Sequence, residues 1–298
     1  EVSVAPDGRL AVVSNYGTRE APGSTLSIVD LEQPREVRRI DLAPHTRPHG
    51  LAWFAPDRIA VTTEGSQHLL VVEPSSGRIV QAIPTGQEVS HMVAVAPDGA
   101  RAYVANIGSG TMTALDLATG RKLADVATGR GSEAIAVTAD GREIWVGARE
   151  DGHMAIVAAD TLEVTARIDL PGIPIRIAMA PDGRKAFVTC AGSSELVVLE
   201  TATRRVLGRY RIAVPLAPGA AERPFARIAA GSVLPVGLLV SPDGRSVYVA
   251  ATMGDAVLRL DASDAAARQT LAVGGEPDGL GVTSLMPRAE CHACTPAP

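Results

Sequence analysis

Aromatic residues are scarce in this chain of 298 residues, at 3% of the total, although hydrophobic residues make up 46%. Aliphatic side chains and alanine must therefore fill the core. The sequence also has no run of basic residues. It has 28 Lys and Arg residues and 33 Asp and Glu residues, which gives a formal net charge of -5. Without a run of basic residues to bind the phosphate backbone, a nucleic-acid partner is not expected.

Cysteine is rare as well: Cys190 stands alone, and Cys291 and Cys294 flank His292 near the end of the sequence. A single disulfide cannot stabilise a fold of this size. We expect the tail, residues 284–298, to be a frayed end or to hold a local disulfide. A metal or redox site is the alternative, but the tail lacks the second ligand pair that zinc usually needs.

Long hydrophobic runs are missing too. No apolar stretch approaches the roughly 18 to 20 residues that a membrane span requires. The first eight residues already have a strand-and-turn pattern, so neither an anchor nor a signal peptide is expected there, and such a start is compatible with a leader removed by processing.

What the sequence does have is a repeat. The tripeptide Pro-Asp-Gly, or a near copy of it, occurs six times, with its aspartate at Asp7, Asp57, Asp98, Asp140, Asp182 and Asp243. Successive aspartates are 50, 41, 42, 42 and 61 residues apart. The unit is therefore about 42 residues long, and two units carry insertions.

One unit contains four short apolar runs. In the third copy these are 92–96, 102–106, 111–116 and 122–127, with turn residues between them and no helical spacing. Four antiparallel strands of this length make one propeller blade, and blades in a ring bury faces that a single blade cannot cover. The sequence therefore predicts an all-β fold, a β-propeller of four-stranded antiparallel blades over residues 1–283.

A short motif follows the tripeptide in four units: Tyr103-Val104-Ala105-Asn106, Trp145-Val146-Gly147-Ala148, Phe187-Val188-Thr189-Cys190 and Tyr248-Val249-Ala250-Ala251. This pattern resembles the signature of YVTN-type β-propeller proteins. The resemblance covers residues 1 to about 283. It implies seven blades, export from a prokaryotic cell to the periplasm or the exterior, and often no assigned activity.

The last residues of the repeat region indicate how many blades close the ring. Residues 279–283 copy the start of a repeat, and only the tail follows them. We predict six repeats plus one inner strand of a seventh blade, whose other strands would come from upstream of Glu1. The alternative is a complete six-bladed ring in which residues 279–283 and 2–5 compete for one inner position.

The insertions all lie in links that emerge on one face of a propeller, which we call the tailored face. They are residues 17–24, 43–48 and 213–235. The Pro-Asp-Gly corners emerge on the opposite face and hardly vary. Loops on a rigid scaffold commonly carry binding sites, so the tailored face is the predicted functional face. Residues 213–235 are predicted to be either a lid or a mobile surface loop.

Equivalent positions just before the innermost strands converge on the axis of the ring, at what we call the channel mouth. In the five repeats set in register, these positions hold His49, His91, Glu133, Ile175 and Asp278. The neighbouring position adds Arg176 and Glu1. We predict that His49, His91 and Glu133 bind one divalent transition metal, because imidazole and carboxylate groups are its usual ligands. A hydrated, metal-free channel is the alternative.

Further side chains are predicted to bind a ligand at the same mouth. Arg176 suits a carboxylate or a phosphate, and Asp278 is its neighbour. Tyr16, Glu64 and Arg149 stand at turns after the second strand, and their chemistry exceeds what a turn requires. The other histidines of the repeat region, His45, His68 and His153, are interpreted as surface or turn residues.

No nucleophile elbow, phosphate loop, dinucleotide fingerprint or zinc-protease helix occurs in the sequence. Three functions stay open. The first is an exported protein that binds a small molecule, glycan or protein at the channel mouth. The second is a metal-dependent enzyme, of the lyase or lactone-hydrolase type, that uses the His/His/Glu site. The third is a structural repeat protein of the cell envelope.

Overall fold

The computed structural model describes residues 1–285, and these residues form an all-β fold. The strands are β1 (Val2–Val4), β2 (Leu10–Gly17), β3 (Pro22–Asp30), β4 (Arg35–Asp41), β5 (Pro48–Ala55), β6 (Arg58–Thr63), β7 (His68–Glu73), β8 (Arg78–Pro84), β9 (Ser90–Val95), β10 (Arg101–Asn106), β11 (Thr111–Asp116), β12 (Arg121–Ala127), β13 (Ser132–Val137), β14 (Glu143–Ala148), β15 (His153–Ala158), β16 (Val164–Asp169), β17 (Pro174–Met179), β18 (Lys185–Cys190), β19 (Glu195–Glu200), β20 (Val206–Arg211), β21 (Pro235–Val240), β22 (Ser246–Ala251), β23 (Ala256–Asp261) and β24 (Ala267–Ala272). Short 3-10 helices span Ala220–Glu222, Pro224–Arg227 and Thr252–Gly254. The predictions for Cys291, His292 and Cys294 fall outside the described residues.

Each set of four consecutive strands forms one antiparallel sheet, which gives blade 1 (β1–β4) through blade 6 (β21–β24) within residues 1–285. The first strand of each blade contacts the first strand of the next blade, from β1 to β21. These first strands therefore surround the central axis. The predicted β-propeller of four-stranded blades is confirmed.

The repeated tripeptide forms a tight corner between the first and second strands of a blade. In blade 3, Gly99 has a φ of 70° and donates its N–H to the carbonyl oxygen of Ala96. The Asp98 carboxylate accepts the N–H of Ala100 at 2.9 Å. Glycine adopts this left-handed conformation freely, and aspartate stabilises such a turn through its own side chain. The tripeptide therefore recurs because the same turn recurs.

The hydrophobic core is divided into layers between neighbouring blades. Clusters of buried aliphatic residues fill the five interfaces from blades 1 and 2 to blades 5 and 6. The aromatic residue of the four-residue motif lies in these layers: Tyr103, Trp145 and Phe187 are all buried in them. The equivalent residue of blade 6, Tyr248, is only half-buried and belongs to none of these clusters. The motif therefore marks packing against the following blade.

A segment after blade 6 connects that blade to blade 1. At one end, Thr252 of blade 6 donates a hydrogen bond to the carbonyl oxygen of Pro277 at 2.8 Å. At the other end, Thr283 donates to the carbonyl oxygen of Gly8 in blade 1 at 2.8 Å. Residues 278–283 thus lie beside β1 rather than in its place. They form no regular strand, and the seventh blade stays a prediction.

Two of the predicted insertions have more regular structure than expected. Residues 17–24 are largely an extension of the β2–β3 hairpin, because β2 continues to Gly17 and β3 begins at Pro22. The 213–235 segment contains two 3-10 turns and packs Phe225 and Ile228 against an apolar cluster that includes Ile175. The segment is thus packed against the tailored face of blades 5 and 6.

Candidate functional site

Irregular pairing at the start of the innermost strands directs side chains into the channel mouth. The pairing of β9 with β10 skips His91, and the pairing of β13 with β14 skips Glu133. The pairing of β5 with β6 skips His49 and Gly50. Such β-bulges redirect a side chain away from the strict alternation of a strand. They explain why equivalent positions of three blades face one another.

His91 lies between two carboxylates at the channel mouth. Its Nδ1–H donates to Glu64 Oε1 at 2.5 Å. Its Nε2 lies 3.2 Å from Glu133 Oε1, an ion-pair contact that is not aligned as a hydrogen bond. Burial by itself lowers the pKa of His91, but the contacts with Glu133 and Glu64 outweigh this effect and raise that pKa above its ordinary value.

Glu133 is buried and surrounded by cations. Arg149 donates to its Oε2 at 2.5 Å, and Arg176 donates to its Oε1 at 3.2 Å. Burial disfavours the carboxylate, but contact with His91 and the charges of the two arginines lower the pKa of Glu133 to about 2. Glu133 is therefore an anion at every physiological pH.

Arg176 connects this carboxylate to a second acidic group. It donates to Glu1 Oε1 at 2.6 Å, and its guanidinium lies 3.6 Å from Asp278 Oδ1. Burial disfavours the cation, but Glu1, Asp278 and Glu133 together raise the pKa of Arg176. The pKa of Asp278 is itself raised, mainly by burial, and among residues 1–285 its buried Oδ1 has no hydrogen-bond partner.

His49 is the unpaired imidazole of the channel mouth. Its ring stacks on that of His91, with centroids 3.7 Å apart, and the Tyr16 ring meets it edge-on at 5.7 Å. Its buried Nδ1 has no hydrogen-bond partner within residues 1–285. Burial, reinforced by the charges of His91 and Arg176, lowers the pKa of His49 well below its ordinary value. His49 is therefore neutral and retains a free lone pair.

Tyr16 extends the network toward the rim of the mouth. Its hydroxyl donates to Glu64 Oε2 at 2.5 Å and accepts a hydrogen bond from Arg47 at 3.1 Å. Arg47 also lies over the Tyr16 ring, 5.1 Å from its centroid. Sequence reasoning missed Arg47 because the residue belongs to an insertion and has no equivalent in the other repeats.

Two sets of side chains have ligand atoms that all lie within 4.8 Å of one another, a spacing that suits a metal ion. They are His49 with Glu64 and His91, and His49 with Glu1 and Asp278. His49 belongs to both sets. The first set contains both of the histidines predicted as metal ligands.

The third predicted ligand, Glu133, reaches His91 but is absent from both sets. Its two oxygens contact Arg149 and Arg176, at 2.5 and 3.2 Å. Glu64, which was predicted as a ligand-binding residue, is the carboxylate that joins the two histidines in the first set. All eight predicted site residues thus meet in one network, and the roles predicted for them stay predictions.

The opposite face of the propeller has a larger groove, of about 660 Å³, between blades 5 and 6. Its carboxylates belong to turns: Asp182 and Asp243 each accept the backbone N–H two residues ahead. The tailored face instead has a cleft of about 380 Å³ beside Arg130 and Arg149, with Ile173 and Ile228 as apolar walls. Arg149 lines this cleft and also contacts Glu133 of the buried network.

Comparison with known proteins agrees with the propeller fold. The sequence model of the family described as "Cytochrome D1 heme domain" matches residues 55–207, which is more than half of the chain. The chain belongs to this family. The match runs from the end of β5 into β20 and includes five of the predicted site residues: Glu64, His91, Glu133, Arg149 and Arg176.

Among solved structures, this member of the cytochrome D1 heme domain family is similar to a chain of the Kuenenia stuttgartiensis hydrazine synthase. The TM-score is 0.79 at 16% identity, and the alignment covers 95% of this chain and 88% of the other. A likeness at this identity concerns the fold. No curated protein matches the sequence. The resemblance to YVTN-type proteins stays a prediction, whereas the propeller repeat beneath it is confirmed.

Proposed function

We propose that this protein binds a small-molecule ligand at the channel mouth of its tailored face, and that the ligand is an iron tetrapyrrole. The observation that carries the proposal is His49. It is a neutral imidazole, largely enclosed, and its buried Nδ1 has no partner among the described residues. Neutral histidine is a common iron ligand in haem proteins. The family name points to the same class of cofactor.

Two arginines at the edge of the channel mouth support this choice of group. Tetrapyrroles carry acidic side chains, and arginine binds carboxylates through two parallel hydrogen bonds. Arg149 lines the cleft beside the mouth, where its side chain is 29% exposed. Arg47 stands at the rim beside Tyr16. The bound group would supply a redox-active iron, and the chain would hold it, shield it from water and fix the charges around it.

A direct test measures the absorption spectrum of the purified full-length protein during titration with ferric haem. Wild type should bind with a shifted Soret band, and His49→Ala should lose that shift because the iron loses its protein ligand. His153→Ala is the matched control, since this histidine hydrogen-bonds the Thr128 carbonyl oxygen away from the mouth. Equal spectra and equal affinity for wild type and His49→Ala would refute the proposal.

Metal-free protoporphyrin separates two contributions to binding. It has the same acidic side chains and no iron. Its affinity should be insensitive to His49→Ala and should fall in Arg149→Ala. His91→Ala is a poorer test, because it leaves the buried Glu64 and Glu133 carboxylates without the imidazole between them.

A second candidate is a metal-dependent enzyme with a single divalent ion, of the lyase or lactone-hydrolase type. The set of His49, Glu64 and His91 favours it, because its ligand atoms lie close together. Elemental analysis of the purified protein distinguishes the candidates. A stoichiometric ion without a Soret band, lost in His49→Ala, would favour the enzyme.

For either function we propose a periplasmic or extracellular location. Within residues 1–285, no helix has the length and apolar character needed to cross a membrane.

A further inference from the structure

A second pair of histidines, His45 and His68, meets on the tailored face outside the channel mouth. His45 lies in the loop between β4 and β5, and His68 begins β7. Their ring centroids are 4.8 Å apart, and the ring planes are tilted by 58°. Both side chains are partly exposed. His45 belongs to an insertion, whereas His68 begins the third strand of its blade, at the position of His153 in blade 4. Repeat register therefore gave no reason to bring His45 and His68 together.

Two backbone hydrogen bonds bring the loops that carry these histidines together. The N–H of Glu64 donates to the carbonyl oxygen of Arg47, and the N–H of Gly65 donates to that of Thr46. A side chain at Gly65 would collide with Thr46, since its Cβ would lie 2.2 Å from Thr46 Oγ1. The β4–β5 loop can therefore pack directly on the β6–β7 turn.

Hydrogen bonds define which nitrogen of His68 carries the proton. Its Nδ1 lies 2.5 Å from the carbonyl oxygen of Ser66, and a carbonyl oxygen can only accept. Nδ1 is therefore protonated, and in the neutral ring Nε2 has the lone pair.

The same reasoning applies to His45 through two hydroxyl groups. Thr63 Oγ1 donates its only hydrogen to the carbonyl oxygen of His68 at 3.2 Å. The 2.7 Å contact between Thr63 and Ser66 therefore needs Ser66 as its donor. Ser66 has then used its hydrogen, so His45 Nδ1–H must donate in the 3.0 Å contact with Ser66 Oγ. All three contacts can be hydrogen bonds only in this arrangement, which leaves Nε2 of His45 unprotonated too.

Two neighbouring imidazoles with Nδ1 held by hydrogen bonds have the arrangement found in metal sites, where the other ring nitrogen of a ligating histidine donates to a carbonyl or another acceptor. We propose that His45 and His68 form a surface site for one divalent transition-metal ion, bound through their two Nε2 atoms. Imidazole favours Zn²⁺, Cu²⁺ and Ni²⁺ among the common ions. Water fills the remaining coordination positions, so the ion is open to a further ligand.

The test is titration of the metal-free, full-length protein with Zn²⁺ by calorimetry, and with Cu²⁺ by electron paramagnetic resonance, which counts the bound nitrogens. The two tail cysteines are replaced by serine throughout, so that their thiols do not compete for the ion. We expect one ion with two nitrogen ligands. His45→Ala and His68→Ala should each abolish this binding, and Ser66→Ala should weaken it by about 10- to 100-fold. Unchanged affinity in any of these variants would overturn the proposal.

Two further variants separate this site from the channel mouth. His153→Ala and His49→Ala should both keep the affinity of the wild type for Zn²⁺. Loss of Zn²⁺ binding in His49→Ala would place the ion in the channel mouth and refute the site proposed here. Thermal unfolding of each variant checks its fold, and His68→Gln replaces His68→Ala if the alanine variant is unstable. The haem titration is independent, because it uses His49.

Discussion

Replacing Glu133 by glutamine should destabilise the protein in a way that depends on pH. Glutamine keeps the size of the side chain and removes its charge, so packing hardly changes. The pKa of Glu133 falls from an ordinary 4.5 to about 2 in the folded protein. At about 1.4 kcal/mol per pH unit, this fall corresponds to a contribution of about 3 kcal/mol at pH 7.

The sign of the pH dependence follows from the lowered pKa. The contribution is present in full above about pH 4.5, where the carboxylate is ionised in both the folded and the unfolded chain. It is lost as the pH falls toward 2, because the unfolded chain takes up its proton first. The difference between wild type and Glu133→Gln should therefore shrink from about 3 kcal/mol at pH 7 to about 1.4 kcal/mol at pH 3.

Equilibrium unfolding in urea, followed by tryptophan fluorescence at both pH values, measures this difference. Glu88→Gln is the control, because Glu88 is exposed on the same face. It should change the free energy of unfolding by less than about 0.5 kcal/mol at either pH. A difference below about 1 kcal/mol for Glu133→Gln at pH 7, or an equal difference at both pH values, would refute the electrostatic account of this network.

Three further predictions concern other parts of the fold. Burial raises the pKa of the Cys190 thiol to about 12, so it should not react with a disulfide reagent at pH 8 until the protein is unfolded; fast reaction in the native state would contradict this. Arg223→Ala removes two hydrogen bonds to Asp255, of 2.5 and 2.8 Å, and should speed tryptic cleavage of the 213–235 segment; an unchanged cleavage rate would show that apolar packing alone holds it. Phe187→Ala should cost about 3 to 5 kcal/mol in chemical unfolding and Tyr248→Ala clearly less; equal losses would disprove our interpretation of the motif.

The sequence predicts which residues meet at the channel mouth because most of them occupy equivalent positions of the repeat. His49, His91 and Glu133 occupy one slot in three successive units, and a ring brings equivalent slots to one axis. Register alone therefore placed them together. Ile175 occupies the same slot in the next unit but packs into an apolar cluster, while its neighbour Arg176 enters the mouth.

Contacts between non-equivalent positions of the repeat could not be predicted in this way. Glu64 meets His91 from the turn of a different blade, and Arg47 comes from an insertion that no other repeat shares. His45 and His68 meet only because two loops pack on each other. Register fixes the strand that a residue occupies, whereas the direction of a side chain depends on bulges and loop conformations that a period does not encode.

The buried charges support the proposal that the channel mouth is a functional site. The carboxyl groups of Glu1, Glu64 and Glu133 lie in it with Arg176 and His91, and all five side chains are at most 10% exposed. Well-packed hydrophobic residues often stabilise a fold as much as a buried ion network does, or more, because burial removes the hydration of each charge. The five inter-blade layers of this protein are built from aliphatic and aromatic residues. Stability alone therefore gives no reason for charges at the axis, and clusters of shifted pKa values are typical of functional sites. We infer that the network is kept to hold His49 neutral and unpaired beside it.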